Sequence, residues 1–197
     1  MYEDRASCHF RHFRTWAIFA AGRSQGEGMT GRRVLFREIQ RFTQPWLWLL
    51  LGGSSLMIWY GAWRQLAMGQ PFGSNPAPDG WLVVLLLVFG VGFPLFFLWL
   101  RLETEVTTEG LGVRFFPLHL RRRAWNWDEI EVVERRAYSP MLEYGGWGIR
   151  MGVRGWAYNV RGNDGVQLVL RSGERILIGT QDGDALMAAV ARARAAR

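Results

Sequence analysis

FTQPWLWLLLGGSSLMIWYGAW (residues 42–63) and GWLVVLLLVFGVGFPLFFLWL (residues 80–100) contain no charged side chain. A bilayer's hydrocarbon core takes about 20 helical residues at a rise of about 1.5 Å each. Water-soluble helices of that length carry charge on one face. The two runs therefore predict a pair of transmembrane helices at about 45–63 and 81–100. Pro45 suits a first helical turn. Trp46, Trp48, Trp59, Tyr60 and Trp63 gather towards the ends of the first run, where an interfacial aromatic belt would lie. Gly52, Gly53, Ser54 and Ser55 form a small-residue patch for close helix approach, with Gly90 and Gly92 on the second run, and Pro94 predicts a kink there. Neither run holds an Asp, Glu, Lys, Arg or His, which argues against a proton relay or a path for charged cargo.

Working outward, the link between the runs (QPFGSNPAPDG) is an irregular turn with Arg64 at its start. Eight Arg precede the first run, among them Arg32, Arg33, Arg37 and Arg41, and Arg101 borders the second. The positive-inside rule then predicts a multi-pass protein of a bacterial inner (cell) membrane with both termini cytoplasmic. All 24 basic residues are Arg, a uniform loss of Lys that fits a GC-rich genome. Membrane topology explains much of the net charge of +7, so nucleic acid is not an expected partner.

Residues 1–31 form a separate N-terminal segment, either disordered or preceding the true start, for which Met29 is the candidate. It holds the single cysteine, Cys8, with His9 and His12, and no fourth ligand follows at a useful spacing. No intrachain disulfide, metal site or cofactor is expected. Residues 32–46 read as an amphipathic lead-in: Leu35, Ile39, Phe42 and Trp46 recur at helical spacing beside Arg33, Arg37 and Arg41. Three domains result: 1–31, then 32–101 with lead-in and spans, then a polar domain over 102–197.

The last of these is strand-rich. TEVTTEGLGVRFFP reads as strand, turn, strand about Glu109–Gly110. Leu111, Val113 and Phe115 alternate on one face, and Val166, Leu168 and Leu170 do the same. Asn163–Asp164–Gly165 and Ser172–Gly173 carry hairpin signals. DGDALMAAVARARAAR reads as a closing helix capped by Asp182 or Thr180, with Leu186, Ala189, Val190 and Ala193 as its apolar stripe. The expected fold class is α+β: a transmembrane helical hairpin plus a small antiparallel barrel or sandwich closed by a C-terminal helix.

TTEGLGVRFFP, then WNWDEIEVVE with Trp127, Asp128, Glu129 and Ile130, then GVQLVLRSGERILIGT before the helix, resemble the bacterial pleckstrin-homology-like domains. Over residues 34–194 the chain is similar to an uncharacterised family of bacterial membrane proteins with such a domain after a two-helix hairpin. YGGWGIR…GWAYNV, within residues 144–160, carries that likeness. The resemblance implies the fold and no activity. The first hairpin loop, TTEG, lacks the basic residues of phosphoinositide-binding members.

Two segments are candidate sites. Tyr144, Gly145, Gly146, Trp147 and Gly148 open a glycine-rich arc, read either as a partner-binding loop or as a structural hairpin. On the first reading Trp147 is at least partly exposed and forms part of the binding surface, while Trp156 is core. Arg121, Arg122 and Arg123 follow Leu118 and Leu120 and are read either as an anionic-lipid contact or as a solvated turn. His119 stands alone, and no catalytic arrangement appears. The expected function is a non-enzymatic scaffold or binding module held at the bilayer, with a protein partner or a second copy. The alternative is a small transport or channel subunit that oligomerises through its helices.

Overall fold

The computed structural model describes residues 32–152 and 154–197. The expectations about Met29, Cys8, His9 and His12 lie outside them. Two sheets, a pair of long helices and two shorter helices build the fold of the described residues. The first sheet is an antiparallel meander of β1 (Val34–Arg41), β2 (Arg101–Thr107), β3 (Gly110–Phe116) and β4 (Arg123–Asn126). The second has the order β5–β8–β9–β7–β6: β5 (Ile130–Ala137), β6 (Gly148–Gly152), β7 (Gly155–Asn159), β8 (Asp164–Leu170) and β9 (Arg175–Gly179). All its pairings are antiparallel except β7 with β9. The fold class is α+β, but the sheets do not close into a barrel.

Residues 34–41 correct the amphipathic lead-in. They form a strand paired with β2 from Val34↔Thr107 to Arg41↔Arg101. Its inward side chains are Phe36, Glu38 and Gln40, so the core face has no apolar alternation to read. Glu38 accepts from Thr180 Oγ1 at 2.7 Å and Gln181 N at 2.8 Å, and Gln40 Nε2 donates to Gly179 O at 2.7 Å. These bonds tie the first strand to the end of β9. The β domain therefore starts before the helices and resumes after them, and the boundary expected at 102 falls inside a sheet.

The helices are inserted between β1 and β2. Helix α1 (Pro45–Ala62) continues through a π-type turn (Trp63–Ala67), and α2 (Asp79–Trp99) contains a π-type stretch over Leu86–Gly92. They lie antiparallel: Phe42 meets Phe97 at 5.7 Å, Trp59 Nε1 donates to Gly90 O at 3.2 Å, and Gln65 Nε2 reaches Asp79 Oδ1 at 2.7 Å. A Cβ on Gly90 would sit 3.0 Å from Leu86 Cδ1 of its own helix and in ordinary contact, 3.4 Å, with Trp59 Nε1. Among the described residues only α2 is long and apolar enough to cross a membrane. The glycines, serines and tryptophans of α1 dilute its apolarity. Of the expected transmembrane pair, α2 is thus a candidate span.

Leu102, Val106, Leu111, Val113, Phe115, Val166, Leu168, Ile176 and Ile178 build a dry core between the sheets. A short helix, α3 (Pro140–Tyr144), follows β5 with Pro140 in its first turn. Helix α4 (Gly183–Ala195) closes the core with Leu186, Ala189, Val190 and Ala193, as its stripe predicts. Asp182 Oδ1 caps it, accepting from Ala185 N at 3.0 Å. Ser172–Gly173 does join β8 to β9, with Gly173 at φ 85°. Asn163–Asp164–Gly165 corrects the other hairpin expectation, because β7 and β8 are not neighbours.

Candidate functional site

Antiparallel pairing sets the outer face of the first sheet. Odd-numbered residues of β1 and β2 and even-numbered residues of β3 project away from the core. Three rungs result: Arg37–Glu105–Gly112, Ile39–Glu103–Arg114 and Arg41–Arg101–Phe116. The last rung lies at the foot of the helices, since α2 ends at Trp99. Arg122 folds back over Gly112, where a Cβ would sit 3.0 Å from its Cδ. It pairs with Glu105 and lies 3.7 Å from Glu103. Arg32 reaches Glu105 at 3.2 Å.

Glu103 is the hub of this face and is 1 % exposed. Arg101 Nε donates to Oε1 at 2.8 Å, and Arg114 pairs with Oε2 at 2.8 Å in a two-pronged contact. Burial pushes the carboxyl up, but the Arg114 and Arg101 hydrogen bonds and charges outweigh it and hold Glu103 below its usual range. Arg122 is pushed down, first by burial and then by the charge of Arg32. Six arginines (32, 37, 41, 101, 114 and 122) share this face with two carboxylates, so it stays strongly positive. The sequence hid it because β1 looked helical and its members are spread over ninety positions of chain. The alternation of Arg101, Glu103 and Glu105 was the available signal.

The arginine run does not act as one patch. Arg121 is exposed, Arg122 covers the outer face, and Arg123 turns to the core side and donates to the Tyr158 hydroxyl at 2.8 Å. A joint lipid contact by all three is thereby corrected: strand geometry sends neighbours to opposite faces.

The glycine-rich arc is built into the domain. Gly145 (φ 69°) ends α3 in a left-handed cap, with its N–H on Met141 O and the Gly146 N–H on Pro140 O. Tyr144 is buried against Tyr138 and accepts from Arg136 at 3.0 Å, and Arg136 also pairs with Glu143 at 2.9 Å. Gly146 is buried, and Gly148 N donates to Asn159 Oδ1 at 2.9 Å. Trp147 is half-buried, its ring 6.2 Å from that of Trp46 in the first turn of α1. Trp147 is thus partly exposed, as expected, while Trp156 is also only half-buried against the core, which corrects the expectation that it is core. Only Gly145 in this group is exposed, beside Met141 and Leu142 of α3.

At the junction of β1 with both helices lies a shallow cavity of about 220 Å³, lined by Arg41, Phe42, Thr43, Trp48, Phe97 and Leu98. Among the described residues no cluster of three or more His, Cys, Asp or Glu could hold a metal ion. His119 packs on the Tyr158 ring at 6.0 Å, and burial, then the Arg123 charge, holds its imidazole below the usual range.

The fold and this arginine face define an α+β protein with one candidate membrane span at its base. The chain belongs to the family of unknown function DUF6141, whose model matches residues 28–196. No curated protein and no solved structure matches it.

Proposed function

We propose that the chain is a non-enzymatic, membrane-anchored binding or scaffold module. Both helices enter a bacterial cell membrane, and the two-sheet domain, read as pleckstrin-homology-like from its paired sheets and closing helix, stands on the cytoplasmic side. One observation carries this reading. The strands before and after the helices are neighbours in one sheet, Arg41 opposite Arg101, so the chain leaves and re-enters the domain at one place. That place is rich in arginine, whereas the link at the far end of the helices carries Arg64 alone. Anionic headgroups attract such a surface by about 1 kcal/mol per charge. The partner is the bilayer surface together with a protein segment or a second copy.

Topology tests it. With Cys8 replaced by Ser, single cysteines are placed at Ser74 in the link and Glu109 in the β2–β3 turn. An impermeant maleimide added to intact cells should label position 74 and spare 109. Reversed labelling overturns the orientation, and recovery of the chain in the soluble fraction overturns the anchor.

A further inference from the structure

The loop between β3 and β4, residues 117–122, begins where Phe116 faces Arg101, the first strand residue after α2. It therefore hangs from the end of the sheet at which the helices leave. Leu118 is 56 % exposed and Leu120 76 % exposed, while His119 between them turns inward onto Tyr158. The alternation throws both leucines outward and the polar ring in, the reverse of what a water-facing loop tip favours. Arg121 is exposed beside them.

The loop's shape is held from both sides. His119 N donates to Phe115 O at 2.7 Å, Arg122 is anchored to Glu105, and Arg123 is anchored to the Tyr158 hydroxyl. Two leucines kept exposed by a fixed backbone lose little further conformational freedom on being covered. Leu98 and Trp99, just before Arg101 at the same end of the sheet, are exposed as well.

We propose that this loop is an interfacial wedge, with Leu118 and Leu120 dipping among the acyl-chain ends of the lipid leaflet that surrounds α2 and Arg121 lying at the phosphates. The inference rests on the membrane reading above and adds a contact outside the helices, which would fix the tilt of the domain over the bilayer. The lipid surface is the occupant because the loop lies at the end of the sheet that the candidate span joins and pairs apolar tips with a cation, as interfacial segments do.

The full chain, with Cys8→Ser, is reconstituted in vesicles of zwitterionic and anionic phospholipid. Single cysteines at Leu118, Leu120, Val88 in α2 and Glu109 carry an environment-sensitive fluorophore. Glu109 lies at the opposite end of β2 and β3, about 20 Å away at the rise of a strand. Labels at 118 and 120 should be blue-shifted and quenched several-fold more by a shallow spin-labelled lipid than by aqueous iodide. The label at 88 should respond to a deep quencher, and that at 109 to iodide alone. If 118 and 120 behave like 109 while 88 is quenched by lipid, the wedge is overturned and the anchor stands. If 88 also escapes lipid quenchers, the membrane reading falls with it. Shielding of 118 and 120 from both quenchers would mean that protein covers the loop, and overturns the proposal as well.

Discussion

The Ser55 hydroxyl donates at 2.7 Å to the Gly90 carbonyl, the acceptor whose helical donor four residues on would be Pro94, a residue with no N–H. Trp59 Nε1 donates to the same oxygen. Pro94 offers this oxygen no N–H, and α1 supplies it with two donors.

Loss of that bond should loosen the helix pair. Ser55→Ala is expected to cost about 0.5–2 kcal/mol, read by thermal melting in detergent micelles. Ser54→Ala should cost less, because that hydroxyl bonds Leu51 O of its own helix. Pro94→Ala restores a donor and should shrink the Ser55→Ala effect in a double-mutant cycle. Equal costs with and without the proline would separate the two features.

The Glu103 cluster should make the domain acid-sensitive. Its carboxyl is held below the usual range in the folded state. The associated stability is present above the unfolded glutamate range, about pH 4, and is lost as pH falls through the lowered folded value. Melting temperature should drop on acidification, and Glu103→Gln should flatten that drop while lowering stability at neutral pH. An unchanged acid limb in the variant would place the sensitivity elsewhere.

Trp46 and Trp147 should be energetically coupled. Their rings are 6.2 Å apart at a 43° angle, joining the arc to the helix foot. A cycle of Trp46→Ala and Trp147→Ala should give a coupling of about 0.5–1.5 kcal/mol. Trp147→Ala and Trp156→Ala should destabilise comparably, since both pack half-buried on the core. A coupling near zero would free Trp147 for a partner instead.

The β domain should survive without its helices if β1 is kept. Arg41 and Arg101 are opposite each other, so an Asn-Gly pair replacing residues 42–100 would close a two-residue hairpin. That chain should be folded and soluble by circular dichroism and gel filtration. It should melt lower than the parent because Phe42, Leu47, Leu51 and Leu100 leave the core. A chain starting at Leu102 uncovers the edge of β2 and should aggregate.

What the sequence disclosed depends on where each segment's partners lie. Helix α4 was legible because its stripe, Leu186, Ala189, Val190 and Ala193, faces one apolar surface, and its cap is three residues from the bonded N–H. The β2–β3 turn was legible through Glu109–Gly110, where Gly110 is required: a Cβ there would meet the Trp125 carbonyl. Strand β1 was not legible. Its inward Glu38 and Gln40 are satisfied by Thr180, Gln181 and Gly179, about 140 positions away, and no local period records that. Arg121, Arg122 and Arg123 look like one patch in the chain and point three ways in space. The arginine face that replaces them is assembled from four segments.

The pairing of β1 with β2 also imposes an order on synthesis. The first strand leaves the ribosome before either helix, and its neighbour is made only after both. On the membrane reading, β1 has no sheet to join until α2 has been threaded and the chain has returned to the starting side. A mis-threaded helix would strand the two halves of one sheet in different compartments, leaving Leu102 and Val106 uncovered. On that reading, the register from Val34↔Thr107 to Arg41↔Arg101 closes only in a molecule whose two helices have both been threaded correctly.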